Sequence, residues 1–181
     1  MASILKVNEL QHTGGTTALT IDSSGRLLTS KAIGFTVHKA SNQSIAGTGV
    51  IIDDFATTDI YGGFNTDGAG GTMLNLSTGI ATTPVTGYYQ FNVTMRIDNF
   101  AGAYHFLDLV KTDSSGTYLT PAGNRIGRSL DSATASDYTE LQILGVNYLQ
   151  QGDLLALFWA NSGDNSVSVH ENSYFSMFKV G

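Results

Sequence analysis

The sequence contains no cysteine. Disulfides, thiolate nucleophiles and cysteine-based zinc sites are therefore excluded, and stability has to come from packing or assembly. Proline is nearly as scarce, at 2 residues against 21 glycines, which suits a chain of many tight turns and not a Pro-rich linker. Cations are few as well: 9 Lys and Arg stand against 15 Asp and Glu, a net charge of -6. Nucleic-acid affinity comes mainly from cations that release counterions, so nucleic acid is excluded as a main partner. Long apolar runs are missing. None approaches the ~20 residues of a membrane helix, and the opening residues, interrupted by Lys6 and Glu9, make no signal-peptide core, so neither a membrane span nor a secretion signal is expected.

What the chain does have is alternation. At 181 residues and 41% hydrophobic content it can bury one core, with a short extension to spare. In the stretch 79–91, Pro84 and Gly87 punctuate a turn. It leads into a run where Tyr89, Phe91, Val93, Met95 and Ile97 are apolar and Gln90, Asn92, Thr94 and Arg96 are polar. That period of two predicts a strand with one buried face. Ile33, Phe35 and Val37 predict another. Further strands are expected over 48–52, 103–112, 138–149, 154–160 and 173–180, with a weaker, glycine-broken pair over 118–130. No stretch longer than a turn carries a helical period, so the chain is expected to be an all-β sandwich or barrel.

Residues 1–31 read differently. The apolar pieces 4–7, 18–21 and 26–28 are separated by the turn signals Thr13-Gly14-Gly15 and Asp22-Ser23-Ser24-Gly25, which predicts a small strand-turn-strand meander. Such a piece cannot bury enough surface to stand alone. Two arrangements satisfy it: folding back on its own domain, or packing Ile4, Leu5, Val7, Leu10, Ile21, Leu27 and Leu28 on symmetry mates or a host assembly. The chain accordingly divides into an anchoring or trimerising β segment, 1–31, and a domain, 32–181.

Two later strands break the rule of one buried face. Residues 154–160 are apolar on both faces, and the last strand carries Tyr174, Phe178 and Val180 on one face with Phe175 and Met177 on the other. A two-sheet sandwich covers one face of each sheet, so self-association is the expected cover for the second, with loops of the same subunit as the alternative. The residues expected at that contact are Tyr88, Trp159, Tyr174, Phe175, Met177 and Phe178.

With these residues in view, Gly79, Pro84, Gly87, Tyr89 and Phe91 resemble the central signature of the globular head of complement subcomponent q, a relative of the tumour necrosis factor jelly roll. Leu149-Gln150-Gln151-Gly152-Asp153-Leu154 is similar to that family's Leu-x-x-Gly-Asp turn, and the run 173–178 to its closing strand, over roughly residues 32–181. Ala81 stands where an aromatic is usual and Met177 where a glycine is usual. The resemblance implies a ten-stranded antiparallel jelly-roll sandwich and a compact homotrimer with the last strand near the axis. Residues 3–10 and 18–25 also resemble the start of structural proteins of tailed phages, marine ones especially. That resemblance implies a virion structural protein assembled in the host cytoplasm. It would be a homotrimeric knob, fibre or decoration protein on the virion surface, joined by its N-terminus to a capsid or tail protein and exposing its head to a host-surface glycan or protein. A free trimeric lectin-like module that binds a carbohydrate or another ligand is the alternative. Loops 65–71, 113–118, 132–137 and 161–165 are the expected contact loops, because Tyr, Asn, Ser and Gly supply adaptable contacts.

No motif demands an enzyme or a cofactor. His12, His38, His105 and His170 lie apart with no metal-ligand spacing and read as surface or edge-strand histidines. No Gly-x-Ser-x-Gly occurs, and Gly68-Ala69-Gly70-Gly71 lacks the Lys-Ser or Lys-Thr pair of a phosphate loop. Asp53 and Asp54 point to opposite faces if the backbone is extended, which disfavours a shared acid-base site. A calcium set drawn from Asp53, Asp54, Asp67, Asp131 and Asp137 is chemically suitable, since hard oxygen ligands suit that ion. Solubilising surface charge is the competing reading of these carboxylates.

Overall fold

The structure is a computed structural model. It describes residues 9–11, 13–15, 17–21, 23–25, 27–29, 32–46, 49–57, 63–99, 105–117, 124–131, 138–161 and 166–180, with the backbone alone at 17–20, 27–29, 131 and 161. In chain order the strands are β1 (Glu9–Gln11), β2 (Thr17–Ile21), β3 (Leu27–Thr29), β4 (Gly34–Lys39), β5 (Gln43–Ile45), β6 (Val50–Ile51), β7 (Phe55–Ala56), β8 (Phe64–Thr66) and β9 (Leu74–Asn75). They continue as β10 (Ile80–Thr82), β11 (Gly87–Asp98), β12 (His105–Thr112), β13 (Arg125–Asp131), β14 (Tyr138–Leu149), β15 (Leu154–Asn161), β16 (Val167–Val169) and β17 (Tyr174–Lys179). No α-helix occurs among the described residues, and hence none long and apolar enough to cross a membrane.

Two antiparallel sheets face each other. The first runs β14-β11-β17-β4, with β7 and β8 sharing the far edge of β4, and with β16 and β5 flanking the end of β11. The second runs β13-β12-β15-β10-β9, with β6 alongside β15. This is the all-β jelly roll expected from the sequence. Strand β11 is its axis: β14 pairs with it from Gly87 opposite Leu149 to Asp98 opposite Tyr138, while β17 occupies the other side from Tyr89 to Thr94.

The alternation read along 89–97 is the core itself. Tyr89, Phe91, Val93, Met95 and Ile97 are buried, and they meet Leu107, Leu109, Leu155, Leu157 and Trp159 from the opposing sheet. Phe35 and Phe175 close the layer edge-to-face, with ring centroids 4.7 Å apart and planes at 84°, a favoured aromatic geometry. Ala81 is buried between Leu74 and Leu155. Met177, opposite Phe35 and Phe91, fills the position where the resemblance leads one to expect a glycine.

The two signature segments touch. Gly152 N donates to Thr83 O at 2.9 Å, Thr83 N to Asp153 O at 2.9 Å, and Gln151 N to Thr86 Oγ1 at 3.0 Å. Asp153 also accepts from Gln150 N at 2.8 Å and pairs with Lys111 at 2.6 Å, so its carboxylate closes its own turn and ties it to β12. Tyr89 Oη donates to Val85 O at 2.7 Å, pinning the Pro84 turn, and burial holds its phenol above the ordinary value. Gly79, with φ of 67°, lies so close to the backbone of Ile52 that a Cβ would fall 2.2 Å from its carbonyl oxygen. Only glycine fits there.

One expectation changes, and two others fall partly outside the described residues. The second face of β15 is covered within the chain: Ala156 and Phe158 join Val110 in a small cluster packed by Ile51 and Ile80. The second apolar side of 154–160 thus belongs to a patch on the outer face of the second sheet, flanked within the chain by Ile51 and Ile80 of the strands β6 and β10 that pair with β15. The first described strand is Glu9–Gln11, and the apolar piece 4–7 lies outside the described residues. Of the pair expected over 118–130, the described part is the single strand β13.

Candidate assembly face

The outer face of the first sheet is set by register. Its rows, from one end to the other, are Tyr148-Tyr88, then Val146-Gln90-Phe178, Leu144-Asn92-Ser176, Gln142-Thr94-Tyr174, Glu140-Arg96 and Tyr138-Asp98. The period of two that buries one face of β11 presents the other outward, and on β14 that outward set is apolar over three successive positions. Leu144 is 67% exposed, Val146 58%, Tyr148 52% and Tyr88 54%, with Val180 beside them at 53%. Tyr88 and Tyr148 pack on each other with centroids 5.3 Å apart, and Phe178 leans on Phe64 at 5.4 Å. The far end is polar. Arg96 pairs with Asp98 at 2.8 Å and lies 4.8 Å over the Tyr138 ring, with His170 Nε2 4.0 Å from Asp98. The face therefore grades from an apolar corner at Tyr88, Tyr148 and Val180 to a charged one at Arg96 and Asp98.

Of the six residues expected at a subunit contact, Tyr88 is exposed on this face, and Tyr174 and Phe178 lie on it half-buried. Phe175, Met177 and Trp159 are a correction. Each is fully buried within the protomer's own core, so none has surface left for a neighbour. Leu144, Val146, Tyr148 and Val180 are the exposed apolar residues this face carries instead; the signal was present in the sequence, since 144, 146 and 148 are apolar at one spacing and 141, 143 and 149 at the other.

Asp53, Asp54 and Asp67, the described carboxylates of the expected calcium set, are not gathered into a metal-holding group. Among the described residues no group of three or more His, Asp or Glu is placed to hold a metal. Asp67 Oδ1 accepts from Ala69 N at 2.7 Å and Gly71 N at 2.9 Å, bonds that hold its carboxyl below the ordinary range and commit it to its own loop. The Asp131 side chain and Asp137 lie outside the described residues. Asp54 has a φ of 53°, so the backbone at 53–54 is not extended, and a cation already sits there. Lys39 is fully buried, and its ammonium donates to the carbonyl oxygens of Asp53 and Asp54 and to Gln43 Oε1.

Desolvation lowers the Lys39 pKa below its ordinary 10.5, against the opposing pull of Asp54 and Asp53. A lysine with a lowered folded pKa is bound more tightly to its proton when unfolded, so its contribution to stability rises with pH up to 10.5. Lys39→Met strands the carbonyls of Asp53 and Asp54, a cost of about 2 kcal/mol. In thermal melts it is expected to unfold earlier than the parent, by a margin that widens between neutral pH and pH ~10. A margin that shrinks over that range would contradict the assignment.

The other expectations sort by position. His105 is fully buried beside Trp159, ring centroids 5.2 Å apart, and is neither a surface nor an edge histidine. His38 and His170 are partly buried, and His12 lies outside the described residues. Loop 65–71 follows β8, whose Thr66 pairs with Gly34, and 113–117 follows Thr112 opposite Leu154, so both lie at the Tyr88 end. Loops 132–137 and 162–165 leave strands at Asp131 and Asn161, both opposite His105, at the other end; their own residues lie outside the described part. The chain joins the head at the Tyr88 end too, where Lys179 N donates to Ile33 O at 3.0 Å and Val180 N to Tyr88 O at 2.8 Å. Of the anchor residues, Leu10 is 47% exposed on β1, Ile21 is half-buried on β2, Leu27 and Leu28 are described as backbone, and Ile4, Leu5 and Val7 are not described.

No protein-family model matches the chain, and neither does any curated protein sequence. Solved structures do. The tumour necrosis factor Eiger of S. frugiperda superposes with a TM-score of 0.60 at 15% identity, over 83% of this chain and 94% of that one. Murine APRIL at pH 5.0 gives 0.55 at 14% identity, over 83% of this chain and 100% of that one. The globular domain of the zebrafish complement 1qA protein gives 0.53 at 17% identity, over 82% and 98%. The chain is thus similar in fold to the heads of the tumour necrosis factor and complement q proteins.

Proposed function

We propose that the chain is a non-enzymatic homotrimeric binding protein, tethered by residues 1–31 and presenting the opposite end of its head to a ligand. The observation that carries this reading is the exposed apolar corner formed by Leu144, Val146, Tyr148, Tyr88 and Val180 on an otherwise regular sheet face. Isolated exposed apolar residues are ordinary, but a contiguous set on one flat face marks a contact surface. The polar half of the face supplies the rim that such contacts carry. A three-fold arrangement closes without leaving a copy of the corner exposed, and the similarity of fold to the tumour necrosis factor and complement q heads supports it.

The resemblance of residues 3–10 and 18–25 to phage structural proteins supports attachment to a capsid or tail protein at the virion surface. The ligand would then be a host-surface glycan or protein met by the loops after Asp98, Asp131 and Asn161. Light scattering of the intact chain is expected to return three times its 19.2 kDa mass. Removing residues 1–31 is expected to leave a trimeric head that no longer joins particles. A monomer at every concentration would overturn the assembly reading, and truncated heads that still decorate particles would overturn the tether.

A further inference from the structure

We infer that the meander β1-β2-β3 is covered by its counterparts in two other copies of the chain, forming a closed β stem directly beneath the head. The inference rests on the trimeric reading above and goes beyond it by naming the occupant of the meander's apolar face. The register sets Leu10 opposite Leu19, Leu19 opposite Thr29, and Ile21 opposite Leu27. With the two-residue period of a strand, Leu10, Leu19, Ile21 and Leu27 share one face, while Glu9, Thr20 and Leu28 occupy the other. That face carries Leu10, Leu19, Ile21 and Leu27 with Thr17 and Thr29 toward one end and no charge on β2 or β3, and Leu28 of the expected anchor set belongs to the opposite side.

Three strands of three to five residues do not hold together in water unless a further layer covers that face. In a single protomer Leu10 is 47% exposed. The turns are built for a fixed shape: Gly15 and Gly25, ten positions apart, both hold a left-handed φ, 79° and 78°, as hairpin loops with a glycine at that position do. Identical preformed faces are good partners for one another.

Geometry selects the occupant. Ile33 is fixed at the Tyr88 and Val180 corner through its bond from Lys179 N. Three residues separate Thr29 from Ile33, four steps along the chain and a reach of at most ~14 Å. Each meander therefore hangs beside the apolar corner of its own head, and in a trimer built on that face the three corners adjoin. Copies tethered at such short range meet one another at millimolar effective concentration, above what a free partner supplies.

Because the chain has no cysteine, a single Leu10→Cys substitution in the full chain gives one thiol, and Glu9→Cys gives one on the opposite face. Under mild oxidation, Leu10→Cys is expected to form interchain disulfide dimers at least tenfold faster than Glu9→Cys, at a rate unchanged on tenfold dilution of the trimer. Leu10→Cys that stays uncrosslinked and reacts with a maleimide as fast as Glu9→Cys, in a protein that light scattering finds trimeric, overturns the stem and leaves the trimer standing. A thiol protected only on assembled particles also overturns it, in favour of a host protein as occupant. A monomer overturns stem and trimer together.

Discussion

In the proposed trimer, Leu144→Arg is expected to leave folded monomers. Leu144 is 67% exposed in the protomer and points away from the core, so the substitution leaves the packing of β14 on β11 intact. A surface change of that kind alters protomer stability by no more than about 0.5 kcal/mol. At the centre of a subunit contact the same arginine is desolvated beside Val146 and Tyr148 with no carboxylate in its row, where Asn92 and Ser176 are the neighbours. Misplaced charge at an interface costs several kcal/mol, and a three-fold assembly incurs that cost at each of its contacts. Light scattering is expected to fall to one chain mass while far-ultraviolet circular dichroism stays that of the parent. Retention of the trimer at micromolar concentration would show that the contact lies elsewhere.

Asp108→Ala has the largest expected effect on the head itself. Asp108 lies on β12 with its side chain 4% exposed, and two arginines of β13 converge on it. Arg128 donates through Nε and Nη2, both at 2.6 Å, and Arg125 Nε stands 3.3 Å away. Arg128 also lies 4.3 Å over the Phe106 ring. Removing one partner of a buried pair costs far more than the pair contributes, because like charges remain without their counter-ion. Both guanidiniums are about a third exposed, so water screens part of the loss and the expected destabilisation is about 2 kcal/mol. In a domain of this size that lowers the melting temperature by roughly 4–8 °C. Asp108→Asn, which keeps the shape and one acceptor, should fall between the two. A change below about 0.5 kcal/mol for Asp108→Ala would mean that β13 is held by other contacts.

Much of the head was legible from period and punctuation. The run from Tyr89 to Ile97 alternates without a break, and it proved to lie on the strand on which both neighbours of the first sheet are registered. The resemblance of 79–91 and 149–154 has a physical basis, because these segments bond to each other through Thr83, Thr86, Gly152 and Asp153. The assembly face was harder to read. An apolar residue on both sides of a strand says that both sides are covered, not by what. On β15 the second cover is intramolecular, supplied by Ile51 and Ile80 from distant segments. On β14 the outward residues Leu144, Val146 and Tyr148 have no such cover. The distinction depends on which segments cross which sheet, which a local pattern does not carry. The buried ammonium of Lys39 was illegible for the same reason: its acceptors, at Asp53 and Asp54, lie 14 and 15 positions away in sequence.

The junction at Ile33 and the amide of Val180 share one pole of the head, and the strands run lengthwise from there to the loops at the other. On the proposed reading, a ligand gripped at the far pole and a tether held at the near one would apply tension along the strand axes. Pulled this way, β4 slides against β17 with all five of its register positions, Gly34 to His38, loaded together. Strands loaded in shear give way together, whereas strands peeled from one end part pair by pair. Survival under load is governed by the unfolding rate and not by equilibrium stability, so this head is oriented to resist mechanical pull in the direction its tether would transmit it.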